Sequence, residues 1–465
     1  MRSIPNINDN KMTSSELRTT WGLGTVFSLR MLGMFMLLPV ISIYGMTLEG
    51  ATESLIGIAI GIYGLTQALL QIPLGLLADR IGRKPIIVAG LLLFALGSLI
   101  AFLSSTIWGI ILGRALQGSG AISAAVMALL SDLTREQNRT KAMAFIGVSF
   151  GVTFAGAMVL GPIFTHAFGL QNLFFGMALL ALLAIVITLF AVPSPNTPIL
   201  NRESNIVKSS INKVIKNRRL LKLNFGIMSL HALLMSSFVV VPQVMENAGL
   251  APAQHWQVYL VTMLISFAAV VPVIIYAELQ RKIKQVFITA VALLLAAEII
   301  WWKAEQHIWV IIAAVQLFFI AFNVMEAILP SLISKEAPVG YKGTAMGIYA
   351  TSQFVGVAIG GGMGGWILGL AGIETVFLAG GLLALLWLAV SCTMQEPPYV
   401  SSLRIILPSS AIQNSITLER CIKEQPGVTE VMVVKTEKSI YVKVDTKQTT
   451  RRQLEQLVNN YTHSP

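Results

Sequence analysis

The stretch Gly75-Leu76-Leu77-Ala78-Asp79-Arg80-Ile81-Gly82-Arg83-Lys84-Pro85 decides the fold of this chain. It places one acid, three bases and two glycines between two long apolar stretches. Charged side chains are strongly disfavoured in hydrocarbon, so this stretch must lie where the membrane meets water. Basic residues in such a connection mark the cytoplasmic side. The sequence therefore predicts a polytopic membrane protein with this stretch at its cytoplasmic face.

Composition agrees with a membrane protein. Of the 465 residues, 55% are hydrophobic and 12% are charged, whereas soluble domains carry about 25% charged residues. The net charge of +11 is explained by basic loops that face anionic lipid, so we expect membrane lipid and not nucleic acid as a partner. The two cysteines, Cys392 and Cys421, lie in different contexts and indicate no disulfide framework, metal site or cofactor.

Hydropathy predicts twelve spans, because about 20 apolar residues are needed to cross the hydrocarbon core as a helix. The predicted spans are 21–43, 53–77, 85–103, 107–131, 142–165, 171–192, 221–243, 256–277, 285–302, 308–333, 344–369 and 373–394. In the N-terminus and the connections between spans, with Lys222 at the edge of span 7 included, 21 Lys and Arg residues fall on one side of the membrane and only Lys303 falls on the other. This asymmetry predicts that both termini are cytoplasmic.

A long linker divides the spans into two sets of six. We predict a first half over 1–192, a linker over 193–220, a second half over 221–396 and a cytosolic domain over 399–465. Apolar and basic residues alternate from Ile206 to Arg219, which predicts a basic amphipathic helix on the inner leaflet. A solvated linker is the alternative. A weak repeat, Gly161-Pro162 against Gly364-Gly365, supports duplication of the halves.

The tail after Pro397-Pro398 reads as a small α+β domain. Its pattern predicts strands at 402–407, 428–434 and 439–444, with helices at 415–424 and 450–460. This β-α-β-β-α order lacks a last strand, so either a partner supplies one or the domain keeps an exposed edge. We also expect the tail to regulate the protein by contacting the basic linker.

Two motifs carry a resemblance to the major facilitator superfamily. The opening stretch resembles the superfamily's signature G-x-L-a-D-r-x-G-r-k-x between helices 2 and 3. Arg114-Ala115-Leu116-Gln117-Gly118-Ser119-Gly120-Ala121 resembles its helix-4 motif R-x-x-Q-G-x-g-a, which is associated with proton-coupled members. The tail is similar to the ferredoxin-like domain of YajR-type facilitators. The resemblance implies a fold of twelve transmembrane helices in two halves and transport by alternating access.

Span 5 resembles the antiporter motif only in part. Gly147, Gly156 and Gly161-Pro162 match it, but Thr165-His166 stands where the motif has two glycines. The resemblance therefore implies proton-driven efflux but leaves symport open.

Four ionisable residues lie inside spans 1, 4, 7 and 10, where each costs about 2.5–3.5 kcal/mol. They are Arg30, Arg114, His231 and Glu326. The resemblance places these helices around a central cavity, where Arg114 and Gln117 belong to the helix-4 motif. Glu326 is our first candidate for proton coupling, because burial disfavours its charged form. Arg30 and His231 could instead be structural. For Glu298 in span 9 we expect an interfacial ion pair near Lys303.

The opening stretch also implies a conformational latch. By resemblance, Asp79 lies against the start of helix 11 near Lys342-Gly343-Thr344, where a carboxylate gains about 0.3–1 kcal/mol. Arg83 is expected to pair with Asp132. The remaining latch residues are Gly75, Arg80, Gly82 and Lys84. The alternative is that these bases only set orientation.

The sequence thus predicts a monomeric inner-membrane transporter that couples protons to efflux of a small molecule. A proton symporter and a membrane-anchored sensor are the alternatives. We expect no enzyme, because no nucleophile triad, phosphate loop or metal cluster is seen. The predicted cavity residues Phe27, Met31, Met34, Met36 and Tyr63 suit apolar or cationic compounds.

Overall fold

The computed structural model describes residues 11–194, 206–207, 210–304, 306–407, 415–445 and 448–461. Three of the bases counted for orientation, Arg2, Arg202 and Lys208, lie outside these ranges. Within them, twelve helices are long and apolar enough to cross a membrane. The predicted fold class is confirmed: a predominantly helical protein with a small antiparallel sheet near its C-terminus.

The helices of the first half are as follows: span 1 is Ser14–Met36 with Leu38–Tyr44, span 2 is Glu53–Ile81, span 3 is Arg83–Leu103, span 4 is Ile107–Ser119 with Ser123–Leu133, span 5 is Glu136–Phe168, and span 6 is Leu170–Phe190. Those of the second half are span 7 at Arg218–Asn247, span 8 at His255–Leu279, span 9 at Ile283–Lys303, span 10 at Ile308–Glu336, span 11 at Lys342–Ala371 and span 12 at Ile373–Cys392.

Local sequence sets several helix starts. Thr13 and Glu16 form a capping box at span 1: the Thr13 side chain accepts from Glu16 N at 3.2 Å, and Glu16 Oε2 accepts from Thr13 N at 2.8 Å. Thr52 and Thr106 cap spans 2 and 4 in the simpler way, through one side-chain hydrogen bond each. These caps satisfy backbone N–H groups that a helix start leaves without partners.

The opening stretch is almost entirely helical, which differs from the predicted loop. The span 2 helix continues to Ile81 and the span 3 helix begins at Arg83, so Gly82 alone separates them. Gly82 has φ +103°, a conformation that favours glycine. The span 2 helix extends beyond its apolar residues because the charges of Asp79 and Arg83 neutralise each other, as described below.

The two halves share an internal packing pattern. In the first half, a Cβ at Gly161 of span 5 would overlap the Met36 carbonyl of span 1. In the second half, a Cβ at Gly364 of span 11 would lie 3.0 Å from Ser236 Cα of span 7. Spans 5 and 11 thus lie close to spans 1 and 7 at the two glycines that the repeat aligns.

Spans 2 and 11 join the two halves. We call the face with the start of span 1 and the linker the terminal face, and the opposite one the distal face. Near the distal face, a Cβ at Gly57 would lie 2.5 Å from Gly361 O, and one at Gly61 would lie 2.7 Å from Ala358 O. The Gln243 side chain also donates to Ser42 O across the halves at 3.1 Å. The distal face is therefore tightly closed.

The predicted amphipathic helix of the linker is wrong in extent. Only Ile211–Ile215 is helical within the described part of the linker. Val214 is fully buried and Ile206 is 8% exposed, whereas Ile215 is 46% exposed. The described linker residues therefore pack against protein on one side and do not simply lie on lipid or in solvent.

The C-terminal domain contains three antiparallel strands, β1 at Ser401–Ile406, β2 at Val428–Val434 and β3 at Ser439–Val444. Their order is β1-β3-β2, and β3 is buried throughout because it is the central strand. Helices Ser415–Lys423 and Arg451–Tyr461 cover the sheet, and their Leu418, Ile422 and Leu454 complete its core. Among the described residues, neither outer edge pairs with a further strand.

The polar contacts of this domain described here reach the second half, and the expected contact with the basic linker stays a prediction. Lys443 Nζ donates to Ala337 O at 3.2 Å, and Val339 N donates to Glu430 Oε2 at 3.1 Å. Both contacts reach the connection between spans 10 and 11. Arg281, in the connection between spans 8 and 9, lies 3.5 Å from a carboxylate oxygen of Asp445.

Candidate functional site

A cavity of about 100 Å³ lies between the two halves. Its walls come from spans 1, 2, 4 and 5 of the first half and spans 7 and 11 of the second, and they include Phe27, Met31, Met34, Tyr63, Arg114, Ser123, Phe150, His231, Met235, Gln353 and Phe354. Met36, predicted for this wall, instead packs its carbonyl against Gly161. Sites for drug-sized ligands are about 300–1,000 Å³, so the cavity is too small for one in this conformation.

Arg114 is held by neutral groups in the first half. It is 1% exposed, and it donates from Nε to Ala59 O at 3.2 Å and from Nη1 to Gln117 Oε1 at 2.9 Å. Gln117 in turn donates to Ser98 Oγ at 2.8 Å. The guanidinium lies 4.5 Å from the ring centroid of Tyr63, a cation–π contact. This network fixes a positive charge at the cavity wall.

Arg30 lies inside the first half and bonds to a neutral side chain there. Its side chain is fully buried and donates from Nη2 to Gln67 Oε1 at 3.0 Å. Nε and Nη1 have no hydrogen-bond partner among the described residues. The structure therefore does not bring Arg30 together with His231 and Glu326.

His231 and Glu326 come together in the second half. His231 Nε2 lies 3.5 Å from Glu326 Oε1 and 2.8 Å from Gln353 Nε2, and His231 Nδ1 lies 3.3 Å from Ile227 O. The Ile227 carbonyl can only accept, so the hydrogen bonds assign the proton to Nδ1 and leave Nε2 as acceptor for Gln353. We call His231, Glu326 and Gln353 the second-half triad.

The triad has the parts that proton exchange needs. Glu326 Oε1 is buried and has no hydrogen-bond partner within the described residues. If His231 gains a proton at Nε2, that proton faces the carboxylate, and Gln353 can rotate its amide to present oxygen. The sequence flagged His231 and Glu326 by their charge. It missed Gln353, because a neutral amide in a glycine-rich span gives no such signal.

Glu298 is a second buried carboxyl, and the expected ion pair with Lys303 is not formed. Glu298 is 1% exposed and accepts a hydrogen bond from Ser237 Oγ at 3.3 Å. Lys303 instead lies 3.8 Å from the ring centroid of Trp302. Glu298 points inward because Gly380, with no side chain, leaves room for its carboxyl group.

Asp79, Arg83 and Asp132 form the latch cluster at the terminal face. Arg83 Nε lies 2.5 Å from Asp132 Oδ2, and Arg83 Nη1 lies 2.9 Å from Asp79 Oδ1. Lys84 donates to Ser194 Oγ at 3.3 Å, and Arg80 is exposed. Arg83 is 7% exposed, so the cluster is a nearly buried ion network.

Asp79 does not reach the start of span 11 in this conformation. The recorded hydrogen bonds and ion pairs of the described residues join Asp79 to Arg83 and not to the first turn of span 11. Thr344 in that turn accepts a hydrogen bond from Val207 N in the linker at 2.9 Å. The linker therefore binds the Thr344 side chain, in the same turn of span 11 that the resemblance assigned to Asp79.

The span 5 motif residues differ in their surroundings. Gly161 is in close contact with span 1, and Pro162 lies inside the helix. A Cβ at Gly147 or Gly156 would meet nothing within 4 Å. Of these three glycines, Gly161 is thus the one that close packing requires.

The twelve spans, their two halves and the charged cavity between them define a membrane transporter. The family described as Major Facilitator Superfamily matches residues 23–361, and the chain belongs to it. The family described as the YajR YAM domain matches residues 403–460. The chain is 64% identical over 452 residues to the inner membrane transport protein YajR of Escherichia coli strain K12, covering 97% of this chain and 99% of that protein.

The chain also resembles a more distant relative in sequence and a solved structure in fold. A multidrug resistance protein MdtH of Baumannia cicadellinicola is 25% identical over 340 residues, which cover 72% of this chain and 81% of that protein. The crystal structure of a mutant of the nucleoside transporter NupG superposes with a TM-score of 0.65 at 13% identity. That alignment covers 81% of this chain and 99% of NupG, and it supports the fold alone.

Proposed function

We propose that this protein is a proton-coupled transporter that exports a small molecule by alternating access. The observation that carries the proposal is the second-half triad. It places the Glu326 carboxyl 3.5 Å from the imidazole of His231, which lines the cavity between the two halves. Glu326 itself is not among the lining residues, contrary to the expectation that span 10 lines this cavity, so it reaches the cavity through His231. A carboxyl that exchanges protons with a neighbouring base, in a cavity that opens to alternate sides, is what proton coupling requires.

Sequence similarity and the distribution of basic residues support the location and the direction of transport. The similarity to an inner membrane transport protein supports the inner membrane. The 21-to-1 distribution of bases supports cytoplasmic termini, so the terminal face is the cytoplasmic face. Similarity to a multidrug resistance protein, together with Gly161-Pro162 in span 5, favours efflux over uptake.

The latch cluster supplies the conformational part of the proposal. Asp79 is held by Arg83 when the distal face is closed, as in this structure. In the opposite state, Asp79 turns to the N–H groups at the start of span 11, where the helix dipole favours a carboxylate. The latch then holds the cytoplasmic face closed while the cavity opens outward.

Flux measurements in proteoliposomes test the coupling. A panel of fluorescent lipophilic cations and neutral compounds is loaded, and pH gradients of either sign are imposed. Export by antiport requires that substrate move against the proton flow, whereas symport moves both together. Glu326→Gln should lose gradient-driven flux and keep substrate exchange without a gradient. If that variant retains wild-type gradient dependence, Glu326 is not the coupling residue.

A further inference from the structure

The side chain of Ile206 fills the space between spans 2 and 11 near the terminal face. A Cβ added at Gly75 would lie 3.2 Å from Ile206 Cδ1, and one added at Gly347 would lie 2.9 Å from the same atom. One methyl group therefore touches both spans, each time at a glycine. With 8% of its surface exposed, Ile206 is packed here as a core residue.

These two glycines are in register with the contacts at the distal face. A Cβ at Gly57 would lie 2.5 Å from Gly365 Cα, and one at Gly361 would lie 2.6 Å from Gly61 N. Gly75 follows Gly61 by 14 residues, and Gly347 precedes Gly361 by 14 residues. Because the spans are antiparallel, Gly75 and Gly347 form a further pair in the same row, beyond the contact of Gly64 with Phe354 O. Ile206 separates this pair, whereas the distal pairs touch directly.

Two hydrogen bonds join the linker to span 11, and a third lies within the linker. Val207 N donates to Thr344 Oγ1 at 2.9 Å, Thr344 Oγ1 lies 2.9 Å from Ser210 Oγ, and Ser210 Oγ donates to Val207 O at 2.7 Å. Ser210 uses its one proton on Val207, so Thr344 donates to Ser210. Thr344 is fully buried, and every one of these polar groups has a partner.

We infer that Ile206, Val207 and Ser210 form a wedge that holds the terminal face open and must leave before that face closes. Two reasons support this. Direct contact of Gly75 with Gly347, like that of the distal pairs, leaves no space for a side chain between them. The wedge also binds the turn of span 11 that Asp79 needs for the latch. We therefore expect the wedge and the latch to compete for this turn. This expectation rests on the alternating access proposed above.

The test measures distances across the terminal face. Spin labels replace Ile81 at the end of span 2 and Leu221 at the start of span 7, which are 57% and 46% exposed. Cys392→Ala and Cys421→Ala remove the native thiols. Ile206→Ala and Thr344→Val each weaken the wedge, the second without loss of side-chain shape. Both should raise the short-distance fraction by about threefold or more.

Ile215→Ala is the matched control, because Ile215 is an exposed isoleucine of the same linker. It should reproduce the wild-type distribution. If Ile206→Ala and Thr344→Val also reproduce it, the wedge is wrong, whatever the wild-type distribution is. A wild-type distribution that has one maximum and ignores pH counts against the proposed transport cycle instead. A third outcome is that only one of the two wedge variants changes the distance distribution and that this variant also has a lowered melting temperature. That result would contradict the claim that Ile206 and Thr344 act together in one wedge.

Discussion

At the scale of single residues, Glu326 carries the proposed proton coupling. Its Oε1 lacks a hydrogen-bond partner among the described residues, so the carboxylate form is poorly stabilised here. Raising the pH should therefore favour the conformation in which water reaches this carboxyl. We predict that distances across the terminal face depend on pH between about 5 and 8 and that Glu326→Gln removes most of this dependence. Spin-label distances in lipid nanodiscs measure it.

Glu298→Gln is the control for that prediction. It makes the same chemical change at a carboxyl that is even more deeply buried, at 1% exposed against 19% for the Glu326 side chain, and that is bonded to Ser237 and not to the second-half triad. The pH dependence should survive in this variant. Loss of pH dependence in Glu298→Gln but not in Glu326→Gln would show that Glu298, and not Glu326, carries the coupling.

The latch cluster predicts a stability effect at the same scale. Asp132 is an ion-pair partner of Arg83, and its side chain is 2% exposed. Asp132→Asn keeps the shape but removes the charge, and a hydrogen bond to a charged group contributes about 1.5–3 kcal/mol. We expect a lower midpoint of heat unfolding in detergent. Arg80→Gln, at an exposed base of the same stretch, should change stability by less than about 0.5 kcal/mol. Equal effects would contradict a buried network.

At the scale of elements, hydropathy predicts every span. It does not predict features that depend on contacts with other parts of the chain. The predicted span 2 ends at residue 77, because Asp79 and Arg80 are charged residues typical of a loop. In the structure the helix continues to Ile81. Charge neutralisation by Arg83 makes that possible, and a hydropathy pattern cannot show it. The linker pattern was likewise ambiguous, since apolar residues beside basic ones suit a lipid surface and a groove between helices equally well.

The candidate site shows the same limit. Charge alone singled out Arg30, Arg114, His231 and Glu326 within apolar spans. Sequence cannot give the rotation of each helix about its axis. Arg30 therefore belongs with Gln67 inside the first half, while His231 and Glu326 meet across spans 7 and 10.

The row of glycines between spans 2 and 11 predicts how a larger side chain in span 11 affects the distal face. A Cβ at Gly361 would lie 2.6 Å from the backbone nitrogen of Gly61, which cannot move aside. Overpacking of this kind costs about 1–3 kcal/mol. Gly361→Ala should thus open the distal face. Spin labels at Leu103 and Trp309, both 79% exposed, should report a larger long-distance fraction.

Gly362→Ala is a matched control one residue further along the same helix. A Cβ there would meet nothing within 4 Å. Both variants gain the same helix propensity, about 1 kcal/mol for glycine to alanine. Any difference between them therefore measures contact between the spans. Identical distance distributions would show that the glycine row does not close the distal face.

At the scale of the whole molecule, the C-terminal domain is positioned to act on span 11. Its recorded polar contacts reach the connections between spans 8 and 9 and between spans 10 and 11. Val339 also packs with Val434 and Tyr441 in a small apolar cluster. The domain should therefore move with the second half and stiffen the connection that leads into Lys342, close to the turn that the wedge and the latch share.

Lys443→Met tests this attachment. Lys443 is 5% exposed, and its ammonium group donates to Ala337 O and lies 3.6 Å from Glu430 Oε1. Methionine keeps the apolar stem but removes the donor, which also frees Glu430 from its position beside Val339 N. Amide hydrogen exchange of the full chain should become faster, by about fivefold or more, in a peptide covering 337–341. Lys435→Met, at an exposed lysine of the same domain, should leave that exchange unchanged. If both variants exchange at the wild-type rate, the docked contact does not order this connection and the domain has no route to span 11 through it.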